Sequence, residues 1–350
     1  MVLKDKLLLG ESIAYYALYQ RLKIYTDKAE KIAEQIKLLP NGAELTRFWN
    51  QSDYYHTIFQ STGETLDTNP TPLVSIFSKV HIRTARSEKK YYYPNQWNEA
   101  VYFPLLTERP SANDLKQYWL EVASAFIEFL RAAPEDSEVR LSQFLDWSDS
   151  WLSSIAVNED LETIPLANHI RLMVAIVVAS DEKGSFKLVL GDVSGIQSYL
   201  FDIAHIGAGK VAKRLRARSF HLGLIAEVYA HQLLKMGNMP MTNLLLSAGG
   251  LFYAVLPSDV SIDEWKNNVN QSLYKQFHGA IALHSASSDI SLEEMNKDFP
   301  GILEKLYENI RASKGRTFEN ILIENDGWDE AAFIHDIGHA KEMCRSCHKF

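Results

Sequence analysis

An α+β fold is predicted for this 350-residue chain: a mostly helical first half, then a small module built on a sheet. Three observations predict it. Apolar residues recur at three- and four-residue spacing through much of residues 1 to 180. The stretch "ASDEKGS", Ala179 to Ser185, then interrupts the pattern with the composition of a linker. Beyond it, short apolar runs and amphipathic stretches follow one another in the order β-α-β-β-α-β, the ferredoxin-like arrangement.

Each element has its own signal. "DKLLLGESIAYYALYQRLKIYTDKAEKIAEQI", "DLKQYWLEVASAFIEFLRAA" and "NHIRLMVAIVVAS" carry the helical period. Between them, "TPLVSIFSKVHI" and "KKYYYPNQWNEAVYFPLL" are β-branched, aromatic and broken by proline, which suits strand and loop. Phe186–Leu190 suits a central strand, and "AKRLRARSFHLGLIAEVYAHQLLKM" a long amphipathic helix ended by Gly237. Within that helix Leu215, Phe220, Leu222 and Ile225 are expected to face the core. "TNLLLSAGGLFYAVLPS" reads as two strands joined by a tight Gly249-Gly250 hairpin. A helix over Ile262–Gln276, a strand in "GAIALHS" and a helix over Ser291–Ser313 complete the module. The expected domains are therefore 1–180, 186–315 and a tail, 316–350.

Composition excludes several classes. At 46% apolar residues the chain is globular, and a formal charge of −8 argues against nucleic-acid binding through overall charge, while leaving room for a local basic face. No run of eighteen apolar residues occurs, and "MVLKDKLLLGESIAYY" lacks a small-residue cleavage site, so a cytoplasmic location without membrane contact is expected. The two cysteines, Cys344 and Cys347, cannot form a disulfide framework.

The β-α-β-β-α-β order is shared by many polymerase palms and nucleotide cyclases. Catalysis there needs two metal ions, about 3.5–4 Å apart, held by carboxylates at the end of the first strand and on the central hairpin. Asp192, in "LVLGDVSGIQSYLFDI", fills the first position. The hairpin offers Gly249, Gly250, Leu251 and Phe252, with no acid. One carboxylate cannot hold a metal pair, so the module reads as a binding surface. Its two glycines allow close approach of a nucleotide to the backbone, or simply make the turn. Arg214 and Arg218 share a helical face, with Lys210 a turn before them, suited to phosphates or to a solvated surface.

Taken in order, "GDVSGIQSYLF", "KRLRARSFHLGLIAE" and "NLLLSAGGLFYAVLP" resemble the first palm domain of the large signature subunit of type III CRISPR–Cas effector complexes, the Csm-like version most of all. "TPLVSIFSKV", "YYYPNQW", "YFPL" and "IPLANHIRLMVAIVVA", with His169, resemble the family's N-terminal segments. The resemblance implies an RNA-guided antiviral ribonucleoprotein in which two palms together make cyclic oligoadenylates from ATP and Mg²⁺ once target RNA binds. Asp192, Ser194, Gly195, Gln197, Gly249 and Gly250 would then line an adenine-nucleotide pocket, with Arg214 and Arg218 near phosphates. Implied partners are the other effector subunits, a chain carrying the second palm, and the guide and target RNAs.

The departures from the family matter as much. Where many members carry a metal-binding His-Asp pair on the first helix of an HD-type nuclease domain, "GESIAYYALYQRL" has Ile13-Ala14, while keeping Tyr19-Gln20-Arg21. A degenerate, nuclease-dead HD-like domain is implied. No Gly-Gly-Asp-Asp motif of the second palm occurs. "EMCRSCHKF" resembles the first half of a four-cysteine zinc knuckle. Structural zinc takes four ligands, so Cys344 and Cys347 would be completed by His335, His339 or His348, or by ligands on another polypeptide; free reduced thiols are the alternative. The chain alone is thus expected to be inactive. Two other readings stay open: a purely structural subunit of an RNA-cleaving complex, and an HD-type phosphohydrolase using His335 and Asp336 of "HDIGHA".

Overall fold

In the computed structural model, residues 3–49, 58, 66–79, 88–97, 103–104, 106–181, 183–201 and 211–319 are described. They fall into two compact units. One comprises Met1–Ser180 with Leu292–Lys297, the other Asp181–Ser291 with Asp298–Phe350.

The first unit contains helices α1 (Leu3–Tyr25), α2 (Ala29–Leu38), α3 (Gly42–Phe48), α4 (Ala112–Ala132), α5 (Ser137–Leu152) and α6 (Leu166–Ala179). α1 and α6 are apolar on nearly every side because both lie in the core: Leu8, Ile13, Leu18 and Leu22 are buried, as are Ile170, Val174 and Val178. A Cβ on Gly10 would stand 2.8 Å from a Val178 methyl, so the glycine admits α6 closely. α4 starts with a capping box in which the Asp114 amide donates to Ser111 Oγ at 3.2 Å and the Ser111 amide donates to the Asp114 carboxylate at 3.0 Å. These bonds to Ser111 hold the Asp114 carboxyl below its ordinary pKa. In α5, Arg140 places a bidentate fork on Glu11 of α1, at 2.5 and 2.9 Å, with both side chains fully buried. The Arg140 guanidinium also donates to the carbonyls of Pro134 and Glu135, at 2.8 and 3.0 Å. Such a pair survives burial because its polar atoms are hydrogen-bonded. Among the described residues, the stretches expected as strand and loop make isolated bridges, Pro72 with Ile155 and Tyr91 with Val74 and Leu106.

The second unit holds β1 (Ser185–Ser194), α7 (Ile196–Phe201), α8 (Val211–Met236), β2 (Leu244–Ala248), β3 (Leu251–Leu256), α9 (Asp263–Phe277), β4 (Ala282–Ser291) and α10 (Leu292–Lys314), the last of which begins in the first unit. The element order is the expected one, and the strands form one antiparallel sheet in the order β2-β3-β1-β4. Alternation along the strands sorts the two faces. Val189, Val193, Phe252, Ala254 and Leu283 share a core with Leu222, Ile225, Tyr229 and Leu233 of α8 and with Trp265, Val269 and Leu273 of α9. Gly191 lies on this face opposite Phe252, and a Cβ there would fall 2.2 Å from the ring.

Several boundaries differ from expectation for local reasons. β1 and β4 each run ten residues because they pair along their whole length. Gly237 follows α8 as expected, but Asn238 takes the left-handed conformation, φ 53°. α10 is broken at Asp298, whose carboxylate caps the second segment by accepting from the Gly301 amide at 3.1 Å, with Pro300 in its first turn. Phe220, expected in the core, is 70% exposed, since α8 buries its inner stripe only from Leu222 onward; Leu215 is partly buried.

Candidate functional site

Strand pairing decides what surrounds Asp192. It stands between Leu251 of β3 and His284 of β4 on the face opposite α8 and α9. α10 runs along this face: Leu306 and Ile310 are buried, and the hydroxyls of Tyr307 and Tyr253 lie 2.6 Å apart. At its end Lys314 reaches the Asp192 carboxylate at 2.7 Å, the two side chains being 44% and 25% exposed. The carboxylate therefore already has a cationic partner.

Next to it, His284 bridges two hydroxyls, with Nε2 3.0 Å from Ser194 Oγ and Nδ1 2.9 Å from Ser313 Oγ. Burial, followed by the charge of Lys314, pulls the imidazole down to about 4; Asp192 opposes this and Lys266 adds to it. His284 is thus neutral at pH 7, donating through one nitrogen and accepting through the other.

After β1 the chain turns at Gly195 with φ 84°, where a Cβ would lie 2.0 Å from the Ala280 carbonyl oxygen, so glycine is required twice over. The hairpin closes against this turn. The Val193 amide donates to the Gly250 carbonyl at 2.8 Å, and a Cβ on Gly250, φ 89°, would stand 2.6 Å from the Ile196 side chain. Gly249 has φ 63° and open space around its missing Cβ. Asp192, Ser194, Gly195 and Gly250 are therefore brought together, with Gln197 and Gly249 exposed beside them.

The two arginines of α8 part company. Arg218 donates to the Tyr199 carbonyl and lies over the Tyr199 ring at 4.7 Å, so it fastens α7 to α8. Arg214 keeps Nε and one terminal nitrogen buried without a hydrogen-bond partner among the described residues. Of the two, Arg214 has donors to spare. Lys210, Cys344, Cys347, His335, Asp336, His339 and His348 lie outside the described residues. Among those described, no group of three or more His, Cys, Asp or Glu side chains is placed to hold a metal ion. No described helix is long and apolar enough to cross a membrane.

In the helical unit, Ile13 and Ala14 are wholly buried. Tyr19 stacks on Trp49 at 4.8 Å, and Arg21 donates to the carbonyls of Ala17 and Val157, at 3.0 and 3.2 Å, so Tyr19 and Arg21 have structural contacts. His169 is buried in α6.

Sequence reasoning missed His284, Ser313 and Lys314. The apolar strand "GAIALHS" did carry a signal, a histidine within a largely apolar run, but only the pairing of β4 with β1 sets it beside Asp192.

A helical unit and a four-stranded antiparallel sheet, with one strand-end acid beside an acid-free glycine hairpin, define an α+β protein. Residues 185–326 match the family described as Csm1 subunit domain B. Along 98% of its length the chain is 23% identical to a Streptococcus thermophilus protein named "CRISPR system single-strand-specific deoxyribonuclease Cas10/Csm1 (subtype III-A)". Family model, curated relatives and fold thus all bear out the resemblance to the Cas10/Csm1 subunit of type III-A CRISPR systems. A Methanocaldococcus jannaschii protein of the same name is 33% identical over 118 residues, 33% of this chain and 14% of that protein. The chain covers 49% of the Streptococcus protein, about half its length. Two crystal structures share the fold, both at TM-score 0.69 and 18% identity. An apo Csm1–Csm4 cassette aligns over 93% of this chain and 50% of that one, and a Csm1–Csm4 cassette with one ATP over 96% and 50%.

Proposed function

We propose that this chain is a subunit of a type III RNA-guided antiviral effector and supplies the non-catalytic, nucleotide-binding palm of a target-RNA-activated cyclic oligoadenylate synthase. The second palm, bearing the acidic pair, lies outside these 350 residues. Residues 1–180 are a degenerate HD-like scaffold, 186–315 the first palm, and 316–350 a linker with half of a zinc knuckle. The observation that carries the reading is the hairpin: Asp192 ends β1 beside it, and Gly249-Gly250 bring no second carboxylate to pair with it.

The residues present suit a nucleotide better than a metal pair. Asp192 is already matched by Lys314, so Mg²⁺ would be held mainly by the other palm. ATP, when bound, would supply the adenylyl group that is transferred, with pyrophosphate as the leaving group. The glycine turns let it approach the backbone around Ser194, Gly195, Gln197, Gly249 and Gly250, and Arg214 has the donors for a phosphate. Arg218 is assigned to holding α7. Cys344 and Cys347 provide two thiolates of the four ligands that structural zinc takes. Solved relatives in the same fold, Csm1–Csm4 cassettes, contain ATP and AMPPNP, which supports a nucleotide site.

The test is to incubate the chain with labelled ATP and Mg²⁺ or Mn²⁺, alone and within its assembled complex, with and without target RNA. Oligoadenylate is expected only in the complex with target. RNA cleavage without oligoadenylate would favour the structural-subunit reading instead. Synthesis or nuclease activity by the chain alone would overturn the account of the missing acids.

A further inference from the structure

A cavity of about 370 Å³ opens at the outer edge of β4, between α9 and the end of α10. That lies within the range of small-molecule sites, roughly 300–1,000 Å³. It is not the hairpin site. In the order β2-β3-β1-β4, the hairpin and the outer edge of β4 are on opposite sides of the sheet.

Three segments that carry hydrogen-bond donors line it. Lys266 comes from α9 and has no ion-pair partner among the described residues. Arg316, just beyond α10, has only Glu319 near its Nε, at 3.9 Å, with both side chains about half exposed or more. Ser285 of β4 is 5% exposed, and its Oγ is buried without a partner. A lone buried hydroxyl costs free energy unless something completes it. The neighbouring edge of the strand needs no ligand, because the Asn270 carboxamide both donates to the Leu283 carbonyl, at 2.9 Å, and accepts from its amide, at 3.0 Å. Two cations face one acid, Glu319, in the lining, so the cavity selects an anion.

We infer that this cavity is a second anion site, which takes a phosphate group on Lys266, Arg316 and Ser285. A tetrahedral phosphate offers separate oxygens to an ammonium, a guanidinium and a hydroxyl, which a planar carboxylate does less well. The remaining space, lined by Asn309 and Phe318, leaves room for what the phosphate is attached to. His284 is in the wall, and the charge of Lys266 already bears on it, so an anion beside Lys266 raises the proton affinity of the ring that holds Ser194.

Calorimetric titration of the full chain with inorganic phosphate, and separately with AMP, tests this, with histidine-labelled NMR as a local readout. Saturable phosphate binding that moves the His284 signals is expected. Lys266→Ala and Arg316→Ala should each weaken it roughly tenfold or more, as loss of a charge-assisted bond does, while Lys235→Ala, at an exposed cation in the last turn of α8, leaves it unchanged. AMP binding that is weakened by Lys266→Ala and is at least tenfold tighter than phosphate would identify a nucleotide as the ligand of this cavity; equal affinity would identify the phosphate group alone, and AMP binding indifferent to Lys266→Ala belongs to the hairpin site. No saturable binding, or binding indifferent to Lys266→Ala and Arg316→Ala, overturns the assignment and leaves the hairpin site untouched.

Discussion

Acidification should weaken the sheet unit through one side chain, His284. Its pKa is brought down to about 4 from an ordinary 6.5 by burial first and then by Lys314, with Lys266 adding and Asp192 opposing. The unfolded chain accepts the proton near 6.5, so below that pH it binds a proton the folded state refuses. The stabilisation is therefore complete above about 6.5, declines as the pH falls, and is spent below about 4. At about 1.4 kcal/mol for each tenfold change in proton affinity, the interval amounts to about 3 kcal/mol. Hydrogen bonding does not cause it, because the serine hydroxyls can accept from an imidazolium as well; the cost lies in burying a charge beside two lysines. Urea unfolding of the wild type and of His284→Gln, at about pH 7 and about pH 4.5, isolates the effect, since the other histidines titrate alike in both. The wild type should lose roughly 2–3 kcal/mol more than the variant over that interval. Parallel losses would refute the reasoning.

Two substitutions probe the rest of the fold. Arg140→Leu leaves the Glu11 carboxylate buried without its fork and should cost about 3–5 kcal/mol, read as a lower melting temperature by circular dichroism; Glu11→Leu added to it should recover most of the loss. Gly191→Ala places a methyl against the Phe252 ring and should lower the urea midpoint, with unchanged slope, by an amount equivalent to about 1–3 kcal/mol.

Much of the architecture was legible along the chain. The helical period marks α1, α4 and α6, and Gly249-Gly250 between two apolar runs marks the β2–β3 hairpin, where both glycines have the positive φ a tight turn needs. The fate of Phe220 was not legible. Its spacing puts it among apolar neighbours, but whether α8 has anything to bury it against depends on where the sheet ends. Nor was the break at Asp298, where a continuous helical pattern conceals an internal cap. At the candidate site, Asp192 and the two glycine turns were found from sequence. The division of labour between Arg214 and Arg218 was not, because equal residues four apart on one helix differ only in what lies across from them.

By itself the sequence determined which chemical groups this protein has. It has one acid at the end of β1, none on the hairpin, and isoleucine and alanine at positions 13 and 14. It also determined the order of the elements, because periodicity and turn residues act over a few positions at a time. Only the tertiary structure decided how those groups are used. Lys314 answers Asp192, His284 joins Ser194 to Ser313, and Lys266, Arg316 and Ser285 meet around one cavity. Each of these follows from strand register and from the path of α10 and the residues just after it. Such contacts join residues far apart in the chain, and no local pattern encodes them.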